Sequence, residues 1–470
     1  MSGEKKNSAF AAGIGYTIGN VLIKGIGILT LPFFSRIMTT AEFGVYNVFM
    51  SYDALLCVVI GLAMHTSIRS ANLQFKGKID SYVSAVMLVY LLNLLVFLAI
   101  GFCFGDALSG LLGLDKILIY ILILYSFGSA VLTLYNTWIS LNYAYKQYLL
   151  VALINSVGNV AVSLILIFTV FRNQKDVGRI VGSASVIVLL AVFLLMRIFR
   201  KAPPRVNWEY WKFALKYSLP VVPHGVSQIL LAQFDRIMIR NMVSDAAAGI
   251  YSLAGNLKII LTVITSSISA AWSTWAFGEL DRNNREGIRQ RAVQLSALFT
   301  ILTVGLMALS PELIYILGGE EYELAKYVAI PVVIDGFILF LYDVVASGEY
   351  YAKKTLYIMY GTIAAAILNV ILNYIFILKY GFIAAAYTTL FAYVCYLLLH
   401  MTICRKAVGF FIIPPKWMAV FCVIVTAAAA VDLLFMESLI IRWGLCALIV
   451  IPMALLLLKN IGGISKLIKR

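Results

Sequence analysis

The sequence predicts an all-α polytopic membrane protein of about 14 transmembrane helices, built as two pseudo-symmetric six-helix lobes plus two C-terminal helices. Three observations predict it. Of 470 residues, 62% are hydrophobic and only 13% are charged, where a soluble domain is about one quarter charged. Apolar runs of about 20 residues, the length of a membrane span, recur along the whole chain. Features of the first half then return, in the same order, about 200 to 210 residues later.

The runs fall at 9–34, 44–67, 79–105, 116–139, 148–171, 178–199, 215–240, 249–277, 290–317, 325–348, 356–378, 381–404, 417–436 and 439–459. Gly105-Asp106, Gly318-Gly319, Lys379-Tyr380-Gly381 and Pro414-Pro415 separate several of them. The first run has no Ala-x-Ala-type cleavage site and reads as a spanning helix, not a signal peptide. Pro203-Pro204 ends the sixth run and opens the longest linker, where Trp208, Tyr210, Trp211 and Phe213 read as an interfacial aromatic belt. The expected division is an N-lobe at 1–200, a cytoplasmic linker at 201–216, a C-lobe at 217–405, and helices 13–14 with a basic tail at 406–470.

Charge gives orientation. Lys and Arg total 37 against 22 Asp and Glu, for a net charge of +15. The basic residues sit in short loops between apolar runs, so the excess reads as topology and not as a nucleic-acid surface. Most of it lies inside when both termini are cytoplasmic. The point against it is the loop Arg172–Arg179, which places three cations together on the outside. The six cysteines lie in or beside apolar runs without metal-ligand spacing and read as reduced packing residues. His65, His224 and His400 share no helical spacing with one another or with cysteines. Neither a metal site nor a cofactor is expected. The absence of a P-loop argues against an ATP-driven pump, and Gly13-x-Gly15 sits within a spanning run, where close helix packing explains it.

The internal repeat pairs Arg36 with Arg236, Gly44-Val45-Tyr46 with Gly249-Ile250-Tyr251, Asn159-Val160 with Asn369-Val370, and Gly182-Ser183-Ala184-Ser185 with Ala384-Ala385-Ala386-Tyr387. A duplicated unit of six spans inserts both halves in the same direction, about an axis along the membrane normal.

Ionisable residues inside the runs are the candidate site. Lys24 lies mid-span, where a charge costs roughly 2.5–3.5 kcal/mol and faces a partner or a watery cavity. Asp53 lies at similar depth on the second span, so the two read either as a salt bridge or as a lysine free to bind an anion. Lys258 and Asp335 make a parallel case in the second half. Asp235 stands beside Arg236 as an internal pair. Arg36 and Arg69 flank spans, where snorkelling to head groups is the ordinary role and substrate contact the alternative.

The order of Leu31-Pro32-Phe33-Phe34-Ser35-Arg36, Ala41-Glu42-Phe43-Gly44-Val45-Tyr46, Leu219-Pro220, Asp235-Arg236 and Ala248-Gly249-Ile250-Tyr251 resembles that of Wzx-type polysaccharide flippases. Leu317-Gly318 with Tyr322, then Asn369 and Asn373 before Tyr380-Gly381 and Ala384-Ala385-Ala386, extend the likeness over about residues 10–405. These flippases belong to the multidrug/oligosaccharidyl-lipid/polysaccharide exporter superfamily. The resemblance implies a V-shaped two-lobed transporter in the bacterial cytoplasmic membrane. Its partners would be an undecaprenyl-diphosphate-linked oligosaccharide, membrane lipids, and the polymerase and other polysaccharide-assembly proteins, with no nucleic acid. It also implies a cationic central cavity, for which Lys24, Arg236 and Lys258 stand at matching positions. Two other readings within the superfamily are a lipid II flippase and a cation-coupled multidrug antiporter. A membrane-embedded glycosyltransferase would bring a larger outside loop than any here, so no enzyme is expected.

Overall fold

The computed structural model describes residues 25–461 together with Gly15 and Gly19. Among these, every regular element is a helix. In hydrocarbon each backbone polar group must be satisfied within its own segment, and the helix does so. The order is α1 (Gly25–Ile37), α2 (Thr40–Gly61), a 3₁₀ turn (Met64–Ser67), α3 (Ile68–Gln74), α4 (Ile79–Leu112), α5 (Lys116–Ser140), α6 (Tyr145–Thr169), α7 (Lys175–Lys201) and α8 (Trp208–Ser218). It continues with α9 (Val221–Met242), α10 (Asp245–Gly255), α11 (Leu257–Asp281), α12 (Arg285–Gly318), a 3₁₀ turn (Glu320–Tyr322), α13 (Ala325–Tyr351), α14 (Thr355–Tyr380), α15 (Ile383–Val408), α16 (Pro415–Leu434) and α17 (Leu439–Ile461).

Eleven helices among the described residues are long and apolar enough to cross a membrane, with α10 and α11 counting as one. The expected run 215–240 corresponds to α9, which falls short of that measure, while the runs 9–34 and 439–459 are described only in part, as α1 and α17. Helix α9 carries His224, Gln228, Gln233, Asp235, Arg236 and Arg240, so its apolar face is narrow.

Several boundaries differ from the sequence expectation, each for a local reason. The second run does not continue to 67: the chain breaks after Gly61, with Leu62 and Ala63 at φ 45° and 49°. The Asn93 amide on α4 donates to the Val59 and Ile60 carbonyls at 3.2 and 2.8 Å, satisfying acceptors that the break exposes. Gly105-Asp106 does not end the third run. Helix α4 continues to Leu112 with only a kink at Phe104. The eighth run is interrupted at Asn256, whose side chain donates back to the Ser252 carbonyl at 2.8 Å and competes with the helical ladder. The aromatic belt of the linker is mostly docked. Within α8, Tyr210 and Phe213 pack on Phe75 at ring-centroid distances of 4.8 and 5.2 Å, and the Trp211 indole donates to the Ala85 carbonyl at 2.8 Å. Trp208 alone of the four is exposed.

Two compact units result, 1–249 and 250–470. In the first, α9 packs along α2 and α8 lies on the first 3₁₀ turn. Within unit one, α2 packs on α5, α5 on α7, and α6 on α7. Within unit two, α11 packs on α13, α13 on α15, and α14 on α15. The same succession of packed pairs appears in both, as a duplicated unit requires.

The three cations of the 172–179 segment have structural partners. Arg172 donates to the Phe168 carbonyl at the end of α6 at 2.8 Å. Lys175 Nζ donates to the Ile37 carbonyl at 2.7 Å, and its backbone N–H to Glu42 at 3.0 Å. Glu42 thereby caps α7 while closing the capping box of α2 with Thr39. The Arg179 guanidinium lies 3.9 Å from the Phe34 ring and 3.7 Å from the Tyr46 ring.

Helices α16 and α17 pack on α12. Arg442 on α17, only 1% exposed, donates to the Ala308 carbonyl at 2.9 Å, to the Met436 carbonyl and to Glu312. Lys326 on α13 bridges Glu323 at 2.8 Å and Glu437 at 2.5 Å, the latter in the turn between α16 and α17. Arg442→Ala leaves the Glu312 carboxylate without its guanidinium and should cost about 3–5 kcal/mol. Lys326→Ala, whose partners are solvated, should cost under about 1 kcal/mol. Thermal unfolding of the detergent-solubilised variants compares the two.

Hydrogen bonding from Lys326 and its charge pull the Glu437 carboxyl below its ordinary 4.5. A depressed carboxyl contributes stability above its unfolded pKa and loses it as pH falls through the folded value. A double-mutant cycle on Lys326→Gln and Glu437→Gln should therefore show coupling at pH 7 and none at pH 3.

Candidate functional site

The repeated glycine motif has a direct structural role. Gly44 in α2 and Gly249 in α10 face each other so closely that a Cβ on Gly44 would lie 1.9 Å from the Asp245 carbonyl oxygen. One on Gly249 would lie 2.0 Å from that of Thr40. The two copies of the motif are thus one backbone contact. Arg240 secures its flank, donating to Asp245 at 2.6 Å and to the Leu112 and Gly113 carbonyls at 3.2 and 2.7 Å.

The repeat also recurs in side-chain hydrogen bonds. Between α6 and α7, Ser183 donates to Asn159 at 2.9 Å. Between α14 and α15, Asn369 donates to Thr389 at 2.7 Å, and Thr388 donates to Asn373. Asn159 therefore matches Asn369 as the sequence suggests. The small-residue run is in a different register, with Ser183 opposite Asn159 where Thr389, and not Ala385, is opposite Asn369.

The candidate residues divide as follows. Lys24 lies outside the described residues. Asp53 is buried in α2; Ser129 of α5 donates to its Oδ2 at 3.2 Å, and Oδ1 has no hydrogen-bond partner among the described residues. Lys258 in α11 forms a salt bridge of 3.7 Å with the buried Asp335 of α13 and lies 4.5 Å from the Tyr393 ring of α15. These two arrangements are repeats of each other: α2 against α5 in one unit, α11 against α13 in the other. A carboxylate and hydroxyl in the first become an ion pair in the second. Asp235 is buried in α9 and Arg236 is half-buried beside it. Arg36, at the end of α1, and Arg69, in the first turn of α3, are exposed.

Asp343, which has no sequence cluster, accepts a hydrogen bond from Ser269 at 3.0 Å. No group of His, Cys, Asp and Glu among the described residues could hold a metal ion. A half-buried lysine over an aromatic ring, with a buried carboxylate at 3.7 Å, is an ion pair whose two charges offset each other within apolar helices.

A family model described as "Polysaccharide biosynthesis protein" matches residues 10–273, more than half of the chain. The chain belongs to that family. A second model, MatE, matches residues 220–375. Among curated proteins, the chain is 23% identical over 374 residues to "Lsg locus putative protein 1" of Haemophilus influenzae, covering 74% of this chain and 84% of that protein. It is 24% identical over 335 residues to an "Uncharacterized membrane protein" of the same organism, covering 66% and 73%. Among solved structures, the lipid II flippase MurJ in an inward closed conformation has a TM-score of 0.75 at 15% identity, covering 95% of this chain and 99% of that one. An inward-facing multidrug resistance MATE transporter of the MOP superfamily follows at 0.64 and 14%, covering 85% and 98%. The fold is therefore the MurJ/MATE fold. This polysaccharide-family chain is a multi-pass membrane protein of the exporter superfamily, whose members are transporters and flippases, and the Wzx-type resemblance agrees with all of these findings.

The glycine contact predicts a specific sensitivity. Gly249→Ala should destabilise by about 1–3 kcal/mol, because backbone on the far side cannot yield. Gly305→Ala, with open space around it, should be neutral or stabilising by up to about 1 kcal/mol. Thermal unfolding of the two variants makes the comparison.

Proposed function

We propose that this protein is a flippase that carries an undecaprenyl-diphosphate-linked oligosaccharide repeat unit across the bacterial cytoplasmic membrane, by alternating access through a cationic central cavity, for polysaccharide biosynthesis. The match of residues 10–273 to the polysaccharide biosynthesis family is the observation that carries the reading. The MurJ and MATE likenesses support the transport fold. The chemistry agrees with it. A diphosphate cannot enter hydrocarbon bare, since even one unpaired charge costs several kcal/mol there. Lysine and arginine held within apolar helices supply the counter-charge, while a polyprenyl tail is already at home in lipid.

In this reading Lys24, Arg236 and Lys258 contact the diphosphate or acidic sugars, with Arg36 and Arg69 receiving head groups at the ends of the path. Asp335 and Asp235 hold their basic neighbours in place when substrate is absent, and Asp53 does so for Lys24 or takes part in ion coupling. Both termini are then cytoplasmic. The polymerase and other assembly proteins receive the product.

The test is leaflet-specific labelling of a lipid-linked glycan in vesicles from cells with and without the protein. Protein-dependent translocation of the repeat-unit lipid is expected. Lys258→Gln, which keeps a hydrogen-bonding group beside Asp335 while removing a charge-assisted contact worth about 1.5–3 kcal/mol, should weaken it about ten- to hundredfold per molecule of protein inserted. Movement of lipid II in place of the oligosaccharide lipid, or export of a cationic dye, would overturn the substrate assignment.

A further inference from the structure

The turn between α15 and α16 gathers arginines at one end of unit two. Helix α15 is capped by Gly409 at φ 83°, and residues 410–414 then lead into α16, with Phe410, Ile412 and Ile413 buried. The two phenyl rings of this turn carry three guanidiniums. Arg285 and Arg289 of α12 lie 5.5 and 5.4 Å from the Phe410 ring, and Arg405 of α15 lies 4.8 Å from the Phe411 ring. Arg289 Nε also donates to the Phe411 carbonyl at 3.4 Å. None of the three forms a salt bridge among the described residues. A ring face orients a guanidinium while leaving its charge and most of its N–H donors available.

Arg289 also lines a cavity of about 690 Å³ between α12, α16 and α17. The chemistry of the cavity changes along its length. Glu286, Arg289, Gln290 and Gln294 line it near the start of α12, with Trp417 in the first turn of α16. Further along the same helices the lining is Ala297, Val420, Phe421 and Ile424, joined by Met453 of α17. From Arg289 to Ala297 helix α12 rises about 12 Å. A charged mouth leading into an apolar slot matches an amphiphile, with an anionic head at one end and a hydrocarbon chain at the other. A soluble anion would leave the slot without a partner, and a bare hydrocarbon would leave the arginines without one.

This mouth is not inherited from the duplication. Helices α4 and α12 each have 34 residues, so end to end Arg285 corresponds to Ile79, Arg289 to Val83 and Val293 to Met87. Val83 and Met87 are fully buried, and α8 packs on α4 there, with Trp211 donating to the Ala85 carbonyl at 2.8 Å. Unit one fills the place with protein; unit two leaves a cavity and lines its mouth with positive charge. Glu286 is the one acidic residue among those lining it. The sequence after Ile461 adds Lys466, Lys469 and Arg470 and no acid, so it supplies no counter-charge.

We propose that the cavity binds one anionic glycerophospholipid of the cytoplasmic leaflet, with its phosphate on Arg289, Arg285 and Arg405 beside it, and one acyl chain along α12 and α16. With both termini cytoplasmic, as in the transport reading, this end of unit two faces that leaflet. Anionic lipids there are drawn to basic pockets between spanning helices, and guanidinium–phosphate contacts are among the stronger hydrogen bonds. Trp417 stands at the depth where an indole meets head groups. The site shares no residue with the proposed substrate contacts Lys24, Arg36, Arg69, Arg236 and Lys258. A lipid held between α12, α16 and α17 stabilises the arrangement that binds it.

The test measures binding and not translocation, so its failure and that of the transport reading are separable. Purified full-length protein in neutral detergent is titrated separately with phosphatidylglycerol, phosphatidylcholine, undecaprenyl phosphate and inorganic phosphate, and bound molecules are counted by native mass spectrometry. One phosphatidylglycerol per chain is expected, at concentrations where phosphatidylcholine and inorganic phosphate do not bind. Arg289→Gln with Arg405→Gln should weaken it about ten- to hundredfold or more. Val420→Trp, which fills the slot and leaves every charge in place, should weaken it as well. Glu286→Gln should tighten it, a gain that misfolding cannot produce. Equal retention of phosphatidylcholine, or unchanged binding in the arginine variant, overturns the site. Competition by inorganic phosphate, or indifference to Val420→Trp, makes it a soluble-anion site and overturns the lipid. Preference for undecaprenyl phosphate overturns the glycerophospholipid assignment.

Discussion

An ionisable side chain within an apolar bundle must find a partner of opposite charge, a ring face or water, and that requirement organises this molecule. Lys258 finds Asp335 and the Tyr393 ring. Arg442 finds Glu312 and two carbonyls and so fixes α17 to α12. Arg179 lies among Phe34, Phe43 and Tyr46 and ties α7 to the first two helices. In each case the charged group joins helices distant in sequence, so the cost of burying it is offset only when the fold is complete.

The duplication is preserved in contacts more faithfully than in residues. Both units use the same succession of helix pairs, and both place an amide opposite a hydroxyl at the same crossing, Asn159 with Ser183 and Asn369 with Thr389. Divergence falls at buried ionisable positions. Asp53 with Ser129 in unit one becomes Lys258 with Asp335 in unit two, and Leu194 gives way to His400. Hydrogen-bonded crossings hold helices together in lipid, where no hydrophobic force distinguishes helix from solvent. Ionic positions are free to specialise one unit.

Much of this was legible in the residue order. Hydropathy located the helices because the bilayer sets a length and excludes charge. Gly318-Gly319, Gly381 and Pro414-Pro415 marked real ends, since glycine and proline act on the backbone locally. Gly105-Asp106 misled, because an apolar helix tolerates a glycine and an exposed aspartate that Lys116 pairs at 2.5 Å. The break at Leu62-Ala63 carried no signal: neither residue favours positive φ, and it is Asn93, on another helix, that satisfies the opened carbonyls. Glu349 and His400 were equally opaque, as no spacing along one chain segment reveals a contact between α13 and α15.

Sequence alone determined the class of the molecule, its twofold repeat and the family it resembles, because length, hydropathy and local breakers act through segments of about 20 residues. Tertiary structure decided which charges are paired, why Gly44 and Gly249 are glycine, and which unit holds the buried Glu349–His400 pair. These are contacts between helices, and their energies depend on distance and exclusion of water, quantities that exist only after the helices have packed.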